Sequence, residues 1–111
     1  MPRLTTEFWV EAYLRRLRLA DIAHYLIRRG DAQAGAVMVK LATLDGRAMA
    51  WERAYDPASG GRRWITLAEG EEALVDAALA RARARDPDLW LIEIEDRQGR
   101  SLLEEEGLSG D

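Results

Sequence analysis

An Asp-Gly pair at positions 45–46 separates two strand-like runs, Ala36–Leu44 and Arg47–Tyr55. Such a pair between such runs signals a β-hairpin, because a type I′ turn needs positive φ at both central positions. A two-residue loop then sets the register: 44 opposite 47, 42 opposite 49, 40 opposite 51 and 38 opposite 53. Alternation places Val37, Val39, Leu41, Ala48, Ala50 and Ala54 on one face, apolar and small enough to lie beneath helices. The other face carries Met38, Lys40, Ala42, Met49, Trp51, Arg53 and Tyr55, a mixture of aromatic, thioether and cation.

Helical patterns flank this hairpin. Thr5 or Thr6 caps a first helix, with Glu7 in its first turn and Arg15, Arg16 and Arg18 toward its end. Val10, Tyr13, Leu14 and Leu17 form its apolar stripe, widened by Phe8, Trp9 and Ala12. Residues 21–29 read either as a further helix or as a strand with Ala23, Tyr25 and Ile27 on one side, and the strand is favoured. Residues 56–61 form a loop, and Arg63–Leu67 a short strand. Glu69, Glu71 and Glu72 open a second helix with buried positions Val75, Ala78, Leu79 and Ala82, ended by Asp86-Pro87. Leu89–Asp96 is a last strand, with Trp90, Ile92 and Ile94 opposed to Leu91, Glu93 and Glu95. The expected fold is α+β: a two-layer sandwich of a mostly antiparallel sheet, four to five strands, with two helices on one face. Residues 1–99 form the single domain, and residues 100–111 an acidic, flexible tail.

Composition narrows the function. The chain has no cysteine, which excludes disulfides, zinc-thiolate sites and cysteine nucleophiles, and favours a reducing compartment. The N-terminus lacks a signal-peptide pattern, and no apolar run approaches a membrane span. Residues 1–63 carry a net charge of +4 and residues 64–111 a net of −8. The overall −4 sets nucleic acid last among partners.

Three stretches carry a family resemblance: residues 1–10, from Met1-Pro2-Arg3 to Phe8-Trp9-Val10; Arg28-Arg29-Gly30-Asp31 with Ala34-Gly35-Ala36-Val37; and Asp86-Pro87-Asp88-Leu89-Trp90 running into Glu93-Ile94-Glu95-Asp96. Together they resemble a family of short bacterial proteins, domain of unknown function 1491. The resemblance implies a bacterial cytoplasmic protein and assigns no activity, ligand or catalytic residue.

The residues themselves offer few chemical constellations. Glu93 and Glu95 share a strand face, and with Asp88 they are the nearest approach to a Mg²⁺ or Mn²⁺ ligand set for phosphoester hydrolysis. An acid-x-lysine triplet is missing, so no metal site is assigned and the carboxylates read as a solvated face. His24 is the sole histidine and reads as structural, because Ser59, Ser101 and Ser109 lie in loops or tail, outside any nucleophile elbow. Gly60-Gly61-Arg62-Arg63 lacks P-loop spacing, but Arg62 and Arg63 are candidate anion binders. Phe8, Trp9, Met38, Met49, Trp51 and Tyr55 are the candidate interface, by their resemblance to interface composition. The function expected is a non-catalytic protein-binding or assembly module, forming a homodimer or engaging a protein partner, with no cofactor. A metal-dependent hydrolase and an anion or small-ligand sensor are the alternatives.

Overall fold

The computed structural model describes residues 5–58, 60–105 and 108. The first helix, α1, spans Thr6–Leu19, and its cap is Thr5, whose side chain accepts from the Phe8 N–H. Its end is a Schellman arrangement: Ile22 N–H donates to Leu17 and Asp21 N–H to Arg18, with Asp21 at φ +60°. Trp9, Val10, Tyr13 and Leu17 are buried on one side of α1.

The strands are β1 (Ala23–Arg28), β2 (Val37–Ala42), β3 (Arg47–Asp56), β4 (Gly61–Glu71) and β5 (Trp90–Glu95), with α2 (Glu72–Arg85) between the last two. They form one sheet in the order β1-β5-β2-β3-β4. Only β2 and β5 are parallel; the other pairs are antiparallel. The class is α+β, with residues 23–28 a strand. Both sheet edges are interrupted by bulges, one between Leu26 and Arg28 and one where β4 passes Ala50 and Trp51. Bulges discourage edge-to-edge addition.

The central hairpin differs from its expected register by one residue. Val37 lies opposite Arg53, Val39 opposite Trp51 and Leu41 opposite Met49. The loop holds three residues, Leu44-Asp45-Gly46, because Leu44 takes φ +63° and Thr43 N–H donates to the Arg47 carbonyl. The Asp45 carboxylate spans it, accepting from the Thr43 hydroxyl and the Arg47 N–H. Those two donors hold its pKa down. A slip of one residue exchanges the faces of one strand relative to the other. Trp51 therefore joins Val37, Val39 and Leu41, whereas Ala48 and Ala50 join Met38.

The slip matters because both faces are covered. Trp9, Val10, Tyr13 and Leu17 of α1 pack with Val37, Val39, Leu41, Trp90, Ile92 and Ile94. Val75, Leu79 and Ala82 of α2 pack with Met38, Ala48, Ala50, Leu89 and Leu91 on the other side. The two helices thus lie on opposite faces instead of sharing one, and the sheet is the middle layer. Strand β2 is buried at every position as a result.

Two further boundaries differ. Strand β4 is longer than Arg63–Leu67, since it pairs with β3 along most of its length and absorbs Glu69 and Glu71. The expected free tail is docked over the described part of its course. Leu103 and Leu108 are buried in the α1-side core. The Tyr13 hydroxyl donates to the Ser101 carbonyl and the Trp64 indole to that of Leu108, both at 2.9 Å. Burial raises the Tyr13 pKa, with the Glu104 charge adding to it. Among the described residues, no helix is long and apolar enough to cross a membrane.

Candidate functional site

One corner of the molecule gathers the segments that stood out in the sequence. The loop from Gly30 to Ala36 is wedged between the start of α1 and the start of β5. Asp31 organises it: its carboxylate accepts from the Gln33 and Ala34 N–H groups, and its own N–H donates to the Asp88 carbonyl. Its carbonyl accepts from the Trp90 indole at 2.8 Å. Gly30 and Gly35 allow the close approach. A Cβ on Gly30 would stand 2.2 Å from the Asp88 oxygen, and one on Gly35 would stand 2.6 Å from it.

The helix start joins the same corner. Thr6 and Glu7 N–H groups donate to the Gln33 and Ala32 carbonyls, and the Thr6 hydroxyl donates to Gly35 at 2.9 Å. These contacts satisfy helix-terminal donors that would otherwise lack intrahelical partners. Arg29 bonds Glu7 at 2.9 Å, and its guanidinium lies 5.1 Å from the centre of the Trp90 ring. Arg28 donates to the Pro87 carbonyl.

Beside this corner lies a cavity of about 180 Å³, lined by Ala34, Gly35, Ala36, Arg53, Ala54 and Arg62. Arg53 is only 5% exposed. Its guanidinium sits 4.8 Å from the Trp9 ring centre, and Trp9 in turn stacks on Tyr13 and meets Trp64. The indole face offsets part of the cost of removing this cation from water. Register places Arg53 opposite Trp64 and Tyr55 opposite Arg62, so neighbouring strands bring both arginines to one spot. Both also make other contacts, which a guanidinium with five donors can share with a further acceptor.

Parts of the three resemblance stretches therefore converge in space, at residues 5–7, 30–35 and 88–90, whereas Glu93–Asp96 lie further along β5 and residues 1–4 lie outside the described ones. The match to the family model for the protein of unknown function DUF1491 runs over residues 4–104. The chain belongs to the DUF1491 family. A crystal structure of a DUF1491 protein from Caulobacter crescentus CB15 is 39% identical, with a TM-score of 0.79 over 92% of this chain and 94% of that one. A solution structure of a DUF1491 protein from the same organism, also 39% identical, has a TM-score of 0.81 over 94% and 96% of the two chains. A solution structure of a protein from A. tumefaciens is 33% identical, with a TM-score of 0.70 over 85% and 86%. A comparison with the curated proteins finds no match.

The other candidates lie elsewhere in this DUF1491 fold. Trp9 and Met38 are core residues, 1% and 0% exposed, on opposite faces of the sheet. Met49 and Trp51 are half-buried on the α1 side, and Phe8 is exposed. Tyr55 lies on β3, and its side chain is outside the described ones. The six do not form one surface, because the register slip parts Met38 from Met49 and Trp51. Arg63 departs from Arg62 and borders a different cleft.

The carboxylates are engaged rather than convergent. Glu93 lies 3.5 Å from the Lys40 ammonium, which also bonds Glu72 and Asp76 at 2.7 Å each. Burial opposes the Lys40 charge, but the hydrogen bonds to Asp76 and Glu72 outweigh it and raise the pKa. A lysine held in this state is a strut between α2 and the sheet, not a nucleophile. Glu95 accepts from the Tyr25 hydroxyl at 3.1 Å, which raises the Tyr25 pKa. The exposed Asp88 contributes its backbone to the loop. Among the described residues, no group of three or more His, Asp or Glu side chains is placed to hold a metal ion. The His24 ring contacts the Ile22 carbonyl at 2.8 Å, and the Ser101 hydroxyl donates to Glu104. Ser59 and Ser109 are outside the described residues.

Arg53 is the site residue that sequence reasoning did not select. Its signal was present, a cation within an apolar strand, but the expected register set it on the face with Met38.

Proposed function

We propose that this protein is a non-catalytic binding module of the bacterial cytoplasm that recognises an anionic group, phosphate or carboxylate, at the Arg53–Arg62 cavity. One observation carries the reading: two arginines from neighbouring strands, Arg53 and Arg62, line one small cavity together with Gly35. Guanidinium forks match the geometry of both anions. The cavity is the size of a charged group rather than of a whole metabolite. Engagement of Glu93 by Lys40 and of Glu95 by Tyr25 favours binding over metal-assisted hydrolysis. The lack of cysteine and the bacterial relatives support the compartment.

Isothermal titration and thermal melting with inorganic phosphate test this. Phosphate should raise the melting temperature, with a gain of about 2.7 kcal/mol at a hundredfold excess over Kd. Arg62→Ala should keep its circular dichroism spectrum and lose that gain. A flat titration of the wild-type protein rejects the reading.

A protein partner is the second reading, favoured by Tyr25 and Ile27, which are 51% and 44% exposed two residues apart on β1. Sedimentation at high concentration checks it. Self-association that Ile27→Glu abolishes supports a homodimer, and a monomeric wild type rules that homodimer out.

A further inference from the structure

One end of the α2-side sheet face is left open. Helix α2 lies over β3 and β4 and shares its core with Met38, Leu89 and Leu91. Residues of β1, at the far edge of the sheet, take no part in that core. Leu26 packs on the α1 side, so its neighbour Tyr25 faces the α2 side, opposite Glu93 and next to Ala23, which stands opposite Glu95. Ile27 is the extra residue of the bulge, and the shift brings Arg28 opposite Leu91, a residue of the α2-side core. The open strip thus runs from Ala23 and Glu95, past the exposed Tyr25 and Ile27, to Arg28.

The two ends of this strip carry opposite charges that do not meet within the chain. Glu95 lies four positions beyond Leu91 on β5, a span of roughly 13 Å along a strand. One Glu95 oxygen accepts from the Tyr25 hydroxyl. Arg28 donates to the Pro87 carbonyl, and its Nε is buried with no hydrogen-bond partner among the described residues. Among those residues neither Arg28 nor Glu95 forms an ion pair, although Asp86 and Asp88 flank Pro87. Glu93, between the two ends, has its charge met by Lys40 at 3.5 Å.

An apolar strip with unlike charges at its ends is complementary to a copy of itself turned end for end. A two-fold axis makes that match, because residue i then meets residue j and j meets i. From this juxtaposition we infer that the protein pairs with a second copy through this strip, with Arg28 of each protomer against Glu95 of the partner subunit and the Tyr25 rings near the axis. This rests on the homodimer form of the second reading above and specifies its geometry. The contact is face to face, since the bulge in β1 disfavours strand addition at that edge. Burial of Tyr25 and Ile27 supplies the attraction, and the reciprocal charge pairs set the orientation, because exposed ion pairs add little by themselves. The strip is small, so the association belongs to the weak class.

Sedimentation equilibrium of the full chain, from micromolar to millimolar concentration, tests it. The wild-type protein should dimerise. Ile27→Glu should abolish the dimer, whereas Leu74→Glu, at an exposed site on α2, should leave it unchanged. Arg28→Glu and Glu95→Arg should each weaken the dimer about tenfold, because two pairs then become repulsive. Combined in one chain, the two changes should bring affinity back to within about threefold of the wild type. A combined variant no tighter than either single one overturns the inference and leaves the homodimer reading intact. A monomeric wild type overturns both. Sodium chloride should weaken the wild-type dimer by screening the reciprocal pairs. A dimer insensitive to salt overturns the inference, and that comparison holds even where a variant does not fold.

Discussion

Lys40 is the sole lysine of the chain, and its side chain is 6% exposed between three carboxylates. Two come from α2 and one from β5, so this residue ties a helix to the middle of the sheet. Lys40→Met leaves those carboxylates facing one another, and the loss should be about 1.5–3 kcal/mol by urea unfolding, the range for hydrogen bonds to charged groups. The pH dependence follows from the sign of the shift. A raised folded pKa gives stability that is full below the unfolded lysine value of about 10.4 and is lost as pH rises beyond it. Tyr13, also raised, acts in the same direction above about pH 10. The wild-type urea midpoint should therefore fall between about pH 10 and 11, and Lys40→Met should fall less steeply. An unchanged alkaline slope in the variant would separate Lys40 from that loss. Arg53 shows what pattern reading can miss at this scale: its identity is plain, but its role depends on which neighbour lies across the strand.

At the scale of elements, the segment after β5 belongs to the fold. The Asp96 carboxylate accepts from both the backbone N–H and the guanidinium of Arg100, where the chain turns after β5. Those bonds hold the Asp96 pKa down, Arg100 foremost. Leu103 then enters the α1-side core. Truncating a buried leucine costs roughly 2–5 kcal/mol. Leu103→Ala should fall in that range by urea unfolding, whereas Leu102→Ala, only half-buried, should cost less. Equal small effects would mean that the segment contributes little to stability. Periodicity found α1, the hairpin, α2 and β5, because each carries its own pattern of burial. It could not see that residues 100–105 and Leu108 dock, because Leu102-Leu103 among acids shows no period and finds its apolar surface only after the sheet has formed.

For the whole molecule, the layer order makes one strand the hinge of stability. Strand β2 belongs to both cores, Val37, Val39 and Leu41 to one and Met38 to the other. Neither layer can lose its helix without uncovering the sheet shared by both. Unfolding should thus be a single cooperative transition. All four tryptophans (Trp9, Trp51, Trp64 and Trp90) lie in or against the α1-side core, so fluorescence reports that layer alone. Far-UV circular dichroism also reports α2. The two urea curves should coincide, and an earlier dichroism change would reveal independent loss of the α2 layer.

By itself, the sequence determined the class: two amphipathic helices, a central hairpin and a last strand, each set by local periodicity, capping and turn residues. It also brought forward Arg62 and the three stretches whose residues 5–7, 30–35 and 88–90 meet beside it. Only the tertiary structure decided the faces. An Asp-Gly pair permits either a two-residue or a three-residue loop, and local turn energies alone leave that choice open. Burial decides it: the three-residue loop sends Trp51 toward Trp64 and α1 and leaves small Ala48 and Ala50 beneath α2. That one-residue slip also puts Arg53 on the α1 face against Trp9, while the β3–β4 register sets Arg62 beside it, so the candidate site exists only once the two layers have closed on the sheet.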